Sequence, residues 1–195
     1  CVFEGERAYG GVIFKSREHS ERLHTSARIL GFQLPYSAEE IDRAKAELIA
    51  RQGTPNCYMR AIAWRGSEQM GVSAKRDDVH VAISSWVWGD YFADKMKGVR
   101  LMIAPWRRPA PDTAPANSKA AGLYMICTLS RHAATDAGFD DAMMFDWRGQ
   151  IAEGTGANIF FVRDGVLHTP TPDCFLNGIT RQTVIGMAHQ RGIEV

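Results

Sequence analysis

Four closely spaced prolines, Pro105, Pro109, Pro111 and Pro115, constrain this chain more than any other feature of it. Each removes a backbone donor and biases the residue before it away from helix, so no regular element can run through them. The fold must be built on either side of a loop. Past the last proline stand Asn117-Ser118-Lys119 and then Ala120-Ala121-Gly122, small residues that can pack closely and begin a helix. A lysine at such a loop end is most often solvated. Held by rigid walls in a partly dehydrated pocket, such an amine sheds its proton more easily and can attack a carbonyl. Position alone does not choose between these two lives for Lys119.

A chain of 195 residues has room for one good-sized domain or two small ones, and 45% hydrophobic with 23% charged residues is an ordinary globular balance. The formal net charge of +1 provides no basic field for nucleic acid and no surface charge for a membrane, which leaves a small-molecule partner. Cys1, Cys57, Cys127 and Cys174 are scattered, with no Cys-x-x-Cys pair, so no metal site or redox dithiol is expected. Scattered thiols suit a cytoplasmic location. No apolar run approaches a membrane span and no opening stretch reads as a signal peptide. Both ends look cut through secondary structure, so a piece of a longer chain is expected.

Residues 2–9 and 11–14 read as strands about a Gly10-Gly11 turn. Ser16 is placed to cap a helix whose Leu23, Ala27 and Leu30 share a face and which Gly31 ends. Arg22 borders that stripe, either solvated or carried toward an anion on a rigid helix. Ser37-Ala38-Glu39-Glu40 is a capping box; it opens a second helix with Ile41, Ala44, Leu48 and Ile49 inward, which reads as purely structural. From Cys57 to Trp64 the pattern alternates, with Tyr58, Arg60, Ile62 and Trp64 on one face and Met59, Ala61 and Ala63 on the other. A phenol and a guanidinium side by side can bind a carboxylate or be two surface side chains. Residues 79–87 and 99–104 are further strands, and all these elements are expected in one sheet that ends at the proline loop.

Beyond Lys119 a helix is expected to about Ala137, stopped by Gly138, with Leu123, Cys127 and Ala134 inward. Tyr124 follows Lys119 by a little over one turn, as a core tyrosine or as a neighbour in its pocket. Residues 142–145 and 150–153 form one hairpin, and residues 158–162 and 166–169 a second about Asp164-Gly165. Glu153 ends a strand just before Gly154-Thr155-Gly156, where the backbone can come close to a ligand. Leu176-Asn177-Gly178-Ile179-Thr180-Arg181 leads into a last helix whose first amides suit an anion, although most helix starts bind nothing.

In this order, and along nearly the whole chain, these stretches resemble the class IV (fold-type IV) aminotransferases that use pyridoxal phosphate, and within them the branched-chain amino-acid aminotransferases. The words that carry the resemblance begin with Val2-Phe3-Glu4-Gly5, Arg7-Ala8-Tyr9, His19-Ser20-Glu21-Arg22-Leu23, Tyr58-Met59-Arg60 and Met70-Gly71-Val72. They continue with Trp86-Val87-Trp88-Gly89, Trp106-Arg107-Arg108-Pro109, Asn117-Ser118-Lys119-Ala120, Glu153-Gly154-Thr155-Gly156-Ala157-Asn158-Ile159-Phe160 and Gly178-Ile179-Thr180-Arg181. Many relatives carry Glu where this chain has Ala157.

The resemblance implies an α+β, two-domain fold: a smaller N-terminal domain over 1–105, an interdomain loop over 106–118, and the first part of a larger barrel-like domain over 119–195, with the cofactor and Lys119 at the junction. It implies that Lys119 binds pyridoxal 5'-phosphate covalently and shuttles the substrate's proton. Glu153 is implied as counter-charge to the ring nitrogen and Tyr124 as neighbour of the phenolic oxygen. Arg22 and the Gly178-Ile179-Thr180 helix start are implied at the phosphate, with Gly156 and Leu176 also lining the cofactor. Phe3, Tyr58 and Arg60 match the substrate pocket, and Met70 with Val72 a loop lent by a neighbouring subunit, which implies a homodimer or higher oligomer. The implied reaction is ping-pong transfer of an amino group between leucine, isoleucine or valine and 2-oxoglutarate. D-amino-acid aminotransferase and aminodeoxychorismate lyase share the fold and remain alternatives, as does a non-catalytic cofactor-binding fragment.

Overall fold

The computed structural model describes residues 1–66, 78–92 and 96–195. Contacts divide the chain into two compact units, Cys1–Asp90 with Ser118–Gly122, and Tyr91–Asn117 with Leu123–Val195.

In the first unit, β1 (Val2–Phe3) and β2 (Glu6–Tyr9) lie end to end along one edge of β4 (Cys57–Arg65). Val2 pairs with Ala63 and Glu6 with Met59, which is one antiparallel register, so residues 2–9 are a single strand path interrupted at Glu4-Gly5. β3 (Val12–Ile13) folds back on β2, and β5 (Val79–Trp86) pairs with the other edge of β4. The alternation in β4 sorts its side chains: Met59, Ala61 and Ala63 are buried at 0–1% exposure, facing α1 (Ser16–Ile29) and α2 (Ala38–Gln52). Tyr58 and Arg60 point to the opposite face, as the sequence pattern requires.

Two details of the helices differ from expectation. The N-cap of α1 is Lys15, in the left-handed region, and Ser16 instead donates to Asp42 at 2.8 Å. The inward face of α2 is Ile41, Lys45 and Ile49, with Ala44 exposed. Lys45 is fully buried because it reaches Glu6, 2.7 Å away. The capping box at Ser37 and Glu40 forms as read.

The second unit corrects the expected sheet. β6 (Leu101–Ile103) does not join the first sheet; it pairs parallel with β7 (Asp141–Phe145), which pairs antiparallel with β8 (Ile151–Gly154). A parallel pair needs a long crossover. Here it consists of the proline loop, a 3₁₀ turn at Ala121–Tyr124 and α3 (Met125–Asp136), whose Cys127 and Ala134 pack on Ala142 and Met144 of β7. The helix expected to begin soon after Lys119 thus opens as a 3₁₀ turn. β9 (Phe161–Arg163) and β10 (Val166–His168) close on Asp164 and Gly165, both at positive φ as a two-residue hairpin turn demands. α4 is Ile179–Gln190. Among the described residues no helix is long and apolar enough to cross a membrane, and the four cysteines are free thiols, Cys57, Cys127 and Cys174 buried.

Candidate active site

Lys119 is pinned by its backbone. The Phe3 amide donates to the Lys119 carbonyl at 3.1 Å, Ala120 bridges Val2, and the Ala121 amide donates to the Cys1 carbonyl at 3.0 Å, so the residues after the loop run as a short extra strand along β1. Ser26 of α1 holds the other side. Its hydroxyl accepts from the Lys119 amide at 3.0 Å and its carbonyl accepts from the Ser118 hydroxyl at 3.0 Å. The half-buried side chain places Nζ 4.7 Å from the centroid of the Phe3 ring. Arg60 lies 4.6 Å from the same centroid, so one ring carries two cations. Arg60 also donates to the Tyr58 hydroxyl at 2.7 Å, and its Nε is buried with no hydrogen-bond partner among the described residues. Tyr58 in turn packs in a tilted arrangement, at 5.0 Å between ring centroids, against both Trp86 and Trp88. Gly5 makes room for it: a Cβ there would meet the Tyr58 hydroxyl at 2.1 Å.

Arg22 pairs with a buried carboxylate. Its Nε and Nη2 donate to the two oxygens of Glu4, each at 2.7 Å, and His19 Nδ1 stands 2.6 Å from Glu4 Oε2. Glu4 has no exposed surface. Burial by itself raises its pKa, but the hydrogen bonds and charges of Arg22 and His19 outweigh it and hold the carboxyl below its usual range. Glu6, one pleat on, shows the reverse balance: burial pushes it up despite Lys45.

The second unit contributes Glu153 and the start of α4. Glu153 sits in β8 opposite Met144, and its Oε1 is 3.4 Å from Nε of Arg108, whose side chain is 4% exposed. Arg108 also donates to the carbonyls of Cys174 at 3.3 Å and Leu123 at 3.4 Å. Tyr124 ends the 3₁₀ turn, half-buried against the core of α3 and β7. The turn after Glu153 is anchored by Thr155, which donates to Asp141 at 2.5 Å, while Arg131 pairs with the same carboxylate at 3.2 Å. A Cβ on Gly156 would enter open space. At α4 the N-cap is Gly178 and no side chain caps it; Ile179 is buried, Thr180 exposed, and the Leu176 carbonyl accepts from Asn158. Asp146, Asp173 and Cys174 bring possible metal ligands within 4.8 Å of one another, but Arg148 already pairs with both carboxylates.

The structure therefore brings Phe3, Tyr58, Arg60 and Lys119 together in the first unit, and places Arg22 there beside Glu4. It puts Tyr124, Glu153, Gly156, Leu176, Gly178, Ile179 and Thr180 in the second unit. Met70 and Val72 lie outside the described residues. Sequence reasoning missed the roles of Glu4, His19, Ser26 and Arg108. A signal existed for Glu4: the period of two puts it on the same face as Val2 and Ala8, and a carboxylate on a core face must be paired.

The chain is thus an α+β protein with Lys119 pinned by its backbone in one unit and Glu153 held by a buried arginine in the other. All of the chain, residues 1–195, matches the family described as amino-transferase class IV. It is 44% identical over 195 residues to a probable branched-chain-amino-acid aminotransferase of Rickettsia bellii, covering 100% of this chain and 66% of that protein. The Escherichia coli branched-chain amino acid aminotransferase matches with a TM-score of 0.96 at 37% identity, over 100% of this chain and 66% of that one. The T.th. branched-chain amino acid aminotransferase, solved with pyridoxamine 5'-phosphate, matches with a TM-score of 0.93 at 37% identity, over 100% of this chain and 66% of that one. The chain belongs to the class IV aminotransferases. It spans about two thirds of the length of these relatives.

Proposed function

We propose that this chain binds pyridoxal 5'-phosphate and that the protein transfers amino groups between branched-chain L-amino acids and 2-oxoglutarate. The observation that carries the reading is the setting of Lys119, tied by backbone to β1 and α1 and set over Phe3 beside Arg60. The donor set suits the cofactor: an amine for its aldehyde, a carboxylate for its ring nitrogen, and uncapped helix amides with an arginine for its phosphate. Relatives named for the same activity, one of them solved with pyridoxamine 5'-phosphate, support it.

When bound, the cofactor supplies an electron sink for negative charge developing at the substrate's α-carbon. Lys119 would hold the cofactor through Nζ at its aldehyde carbon. Outside that bond the same Nζ would carry the proton from the substrate's α-carbon to the carbon that bears the aldehyde. Glu153 would hold a proton at the ring nitrogen, with Arg108 fixing that carboxylate from 3.4 Å. The Tyr124 hydroxyl would donate to the phenolic oxygen, while Arg22 and the amides of Gly178, Ile179 and Thr180 would hold the phosphate. Gly156 and Leu176 give backbone contact to the cofactor. Phe3 forms an apolar wall for the branched side chain; Tyr58 and Arg60, with its orphaned Nε, take a carboxylate when glutamate is the substrate. One oxo acid leaves before the next enters, so kinetics are ping-pong.

We further propose that the protein is at least a homodimer, as the resemblance of Met70-Gly71-Val72 to a loop lent between subunits implies, and its free thiols suit the cytoplasm. The protein loaded with pyridoxal phosphate should convert L-leucine to its oxo acid, one equivalent per site, before 2-oxoglutarate is added. Turnover with D-alanine and none with L-leucine would overturn the substrate assignment.

A further inference from the structure

Asn158 has no role in the chemistry above, yet it touches both features that the second unit contributes. Its backbone forms an isolated antiparallel bridge with Glu153, and the Gly154 amide closes the turn between them on the Ala157 carbonyl at 2.7 Å. Its side chain reaches α4. Nδ2 donates to the Leu176 carbonyl at 3.2 Å, and Oδ1 fills the space a side chain on Gly178 would need, 2.0 Å from where its Cβ would stand. This contact explains the glycine: at φ −58° and ψ 141° the N-cap backbone suits any residue. The amide orientation is coherent as well, with its donor on a carbonyl and its acceptor toward the helix start. The intervening segment is fixed at a second point, where Thr169 donates to the Ile159 carbonyl at 2.8 Å and accepts from Arg181 at 3.2 Å.

We infer that Asn158 is a positioning residue that sets the first turn of α4 against the strand bearing Glu153, with Gly178 as its necessary partner. The inference rests on the cofactor reading above and deepens it. Helix-start amides hold an anion only at hydrogen-bond distance, so one side chain fixes where the phosphate is gripped relative to the carboxylate that serves the ring nitrogen. Lys119 chemistry does not pass through Asn158. Its loss should weaken the hold on the phosphate and spare the reaction of the amine with an aldehyde.

The test compares binding of pyridoxal phosphate and of pyridoxal, which lacks the phosphate, to the cofactor-free protein by absorbance titration. Asn158→Ala should cut the preference for the phosphorylated form at least tenfold and leave pyridoxal binding within twofold. Gly178→Ala should do the same alone but add less than twofold in the Asn158→Ala background, where its steric partner is gone. Should Asn158→Ala fail to fold, Asn158→Ser, which loses the Nδ2 donor and the steric contact without adding charge, answers the same question. An unchanged preference in the Asn158 variants, or a Gly178→Ala effect equally large in both backgrounds, overturns the inference. A wild-type protein that binds both aldehydes equally overturns the phosphate reading itself, and the inference with it.

Discussion

Glu4 shows most clearly how one residue sets up the chemistry of another. It is fully buried, it takes two hydrogen bonds from Arg22, and His19 backs it. Removing one member of a buried ion pair leaves the other uncompensated, so Glu4→Gln should destabilise the protein by roughly 3–5 kcal/mol. Because the folded-state pKa of Glu4 is lowered, the stability it contributes is present above the unfolded value and lost as pH falls through the folded one. Glu6, raised by burial, works in the opposite sense and favours the fold at low pH. Thermal melting of wild type and Glu4→Gln should therefore differ widely at pH 7 and converge below about pH 4; a gap that stays constant to pH 3 would contradict this. Strand alternation and a loop boundary are local signals, so the shared face of Tyr58 and Arg60 and the place of Lys119 at a loop end can be read from the sequence, whereas Phe3 and a role for any of the four come only from the resemblance. The pairing of Arg22 with Glu4 and of Glu153 with Arg108 is not legible, since each joins residues far apart in the chain. Nothing in Arg107-Arg108 says which arginine turns inward.

At the scale of elements, sequence is a sound guide where periodicity governs and fails where a charge is drawn inside. The alternation of β4 and the capping box of α2 appear as read. The inward face of α2 is misleading in the sequence because Ala44 is apolar and Lys45 is not, yet Ile41, Lys45 and Ile49 are the residues one turn apart on the buried side. Lys45 docks the helix by donating from Nζ to Glu6 at 2.7 Å and to the Ser16 carbonyl at 3.2 Å. Lys45→Met alone should cost roughly 3–5 kcal/mol by stranding Glu6. Lys45→Met with Glu6→Leu should regain most of that loss in a urea denaturation, as Glu6 Oε1 already lacks a partner among the described residues. Equal destabilisation of the single and double variants would mean that the pair supplies net stability of its own. The expected place of β6 in the first sheet fails because its apolar pattern carries no information about its partner; only the parallel pairing with β7 reveals it.

For the molecule as a whole, the ordered succession of short motifs carries more than any one of them, and the match of residues 1–195 to a single family agrees with it. Each of the two units has its own buried clusters, Val2, Leu23 and Ala61 among those of the first, Cys127, Ala142 and Met144 among those of the second. The proline loop is irregular, as its composition requires, but its tail, Ser118–Gly122, packs with the first unit through β1 and Ser26, a long-range attachment that composition does not signal. The central claim is that this attachment makes Lys119, among the described residues, the lysine poised for a carbonyl. It is tested most directly by mixing the protein with pyridoxal phosphate, reducing with borohydride and locating the tagged peptide by mass. The account predicts one label per chain, on Lys119. Labels spread over many lysines, with Lys119 no more modified than Lys15 or Lys97, would contradict it.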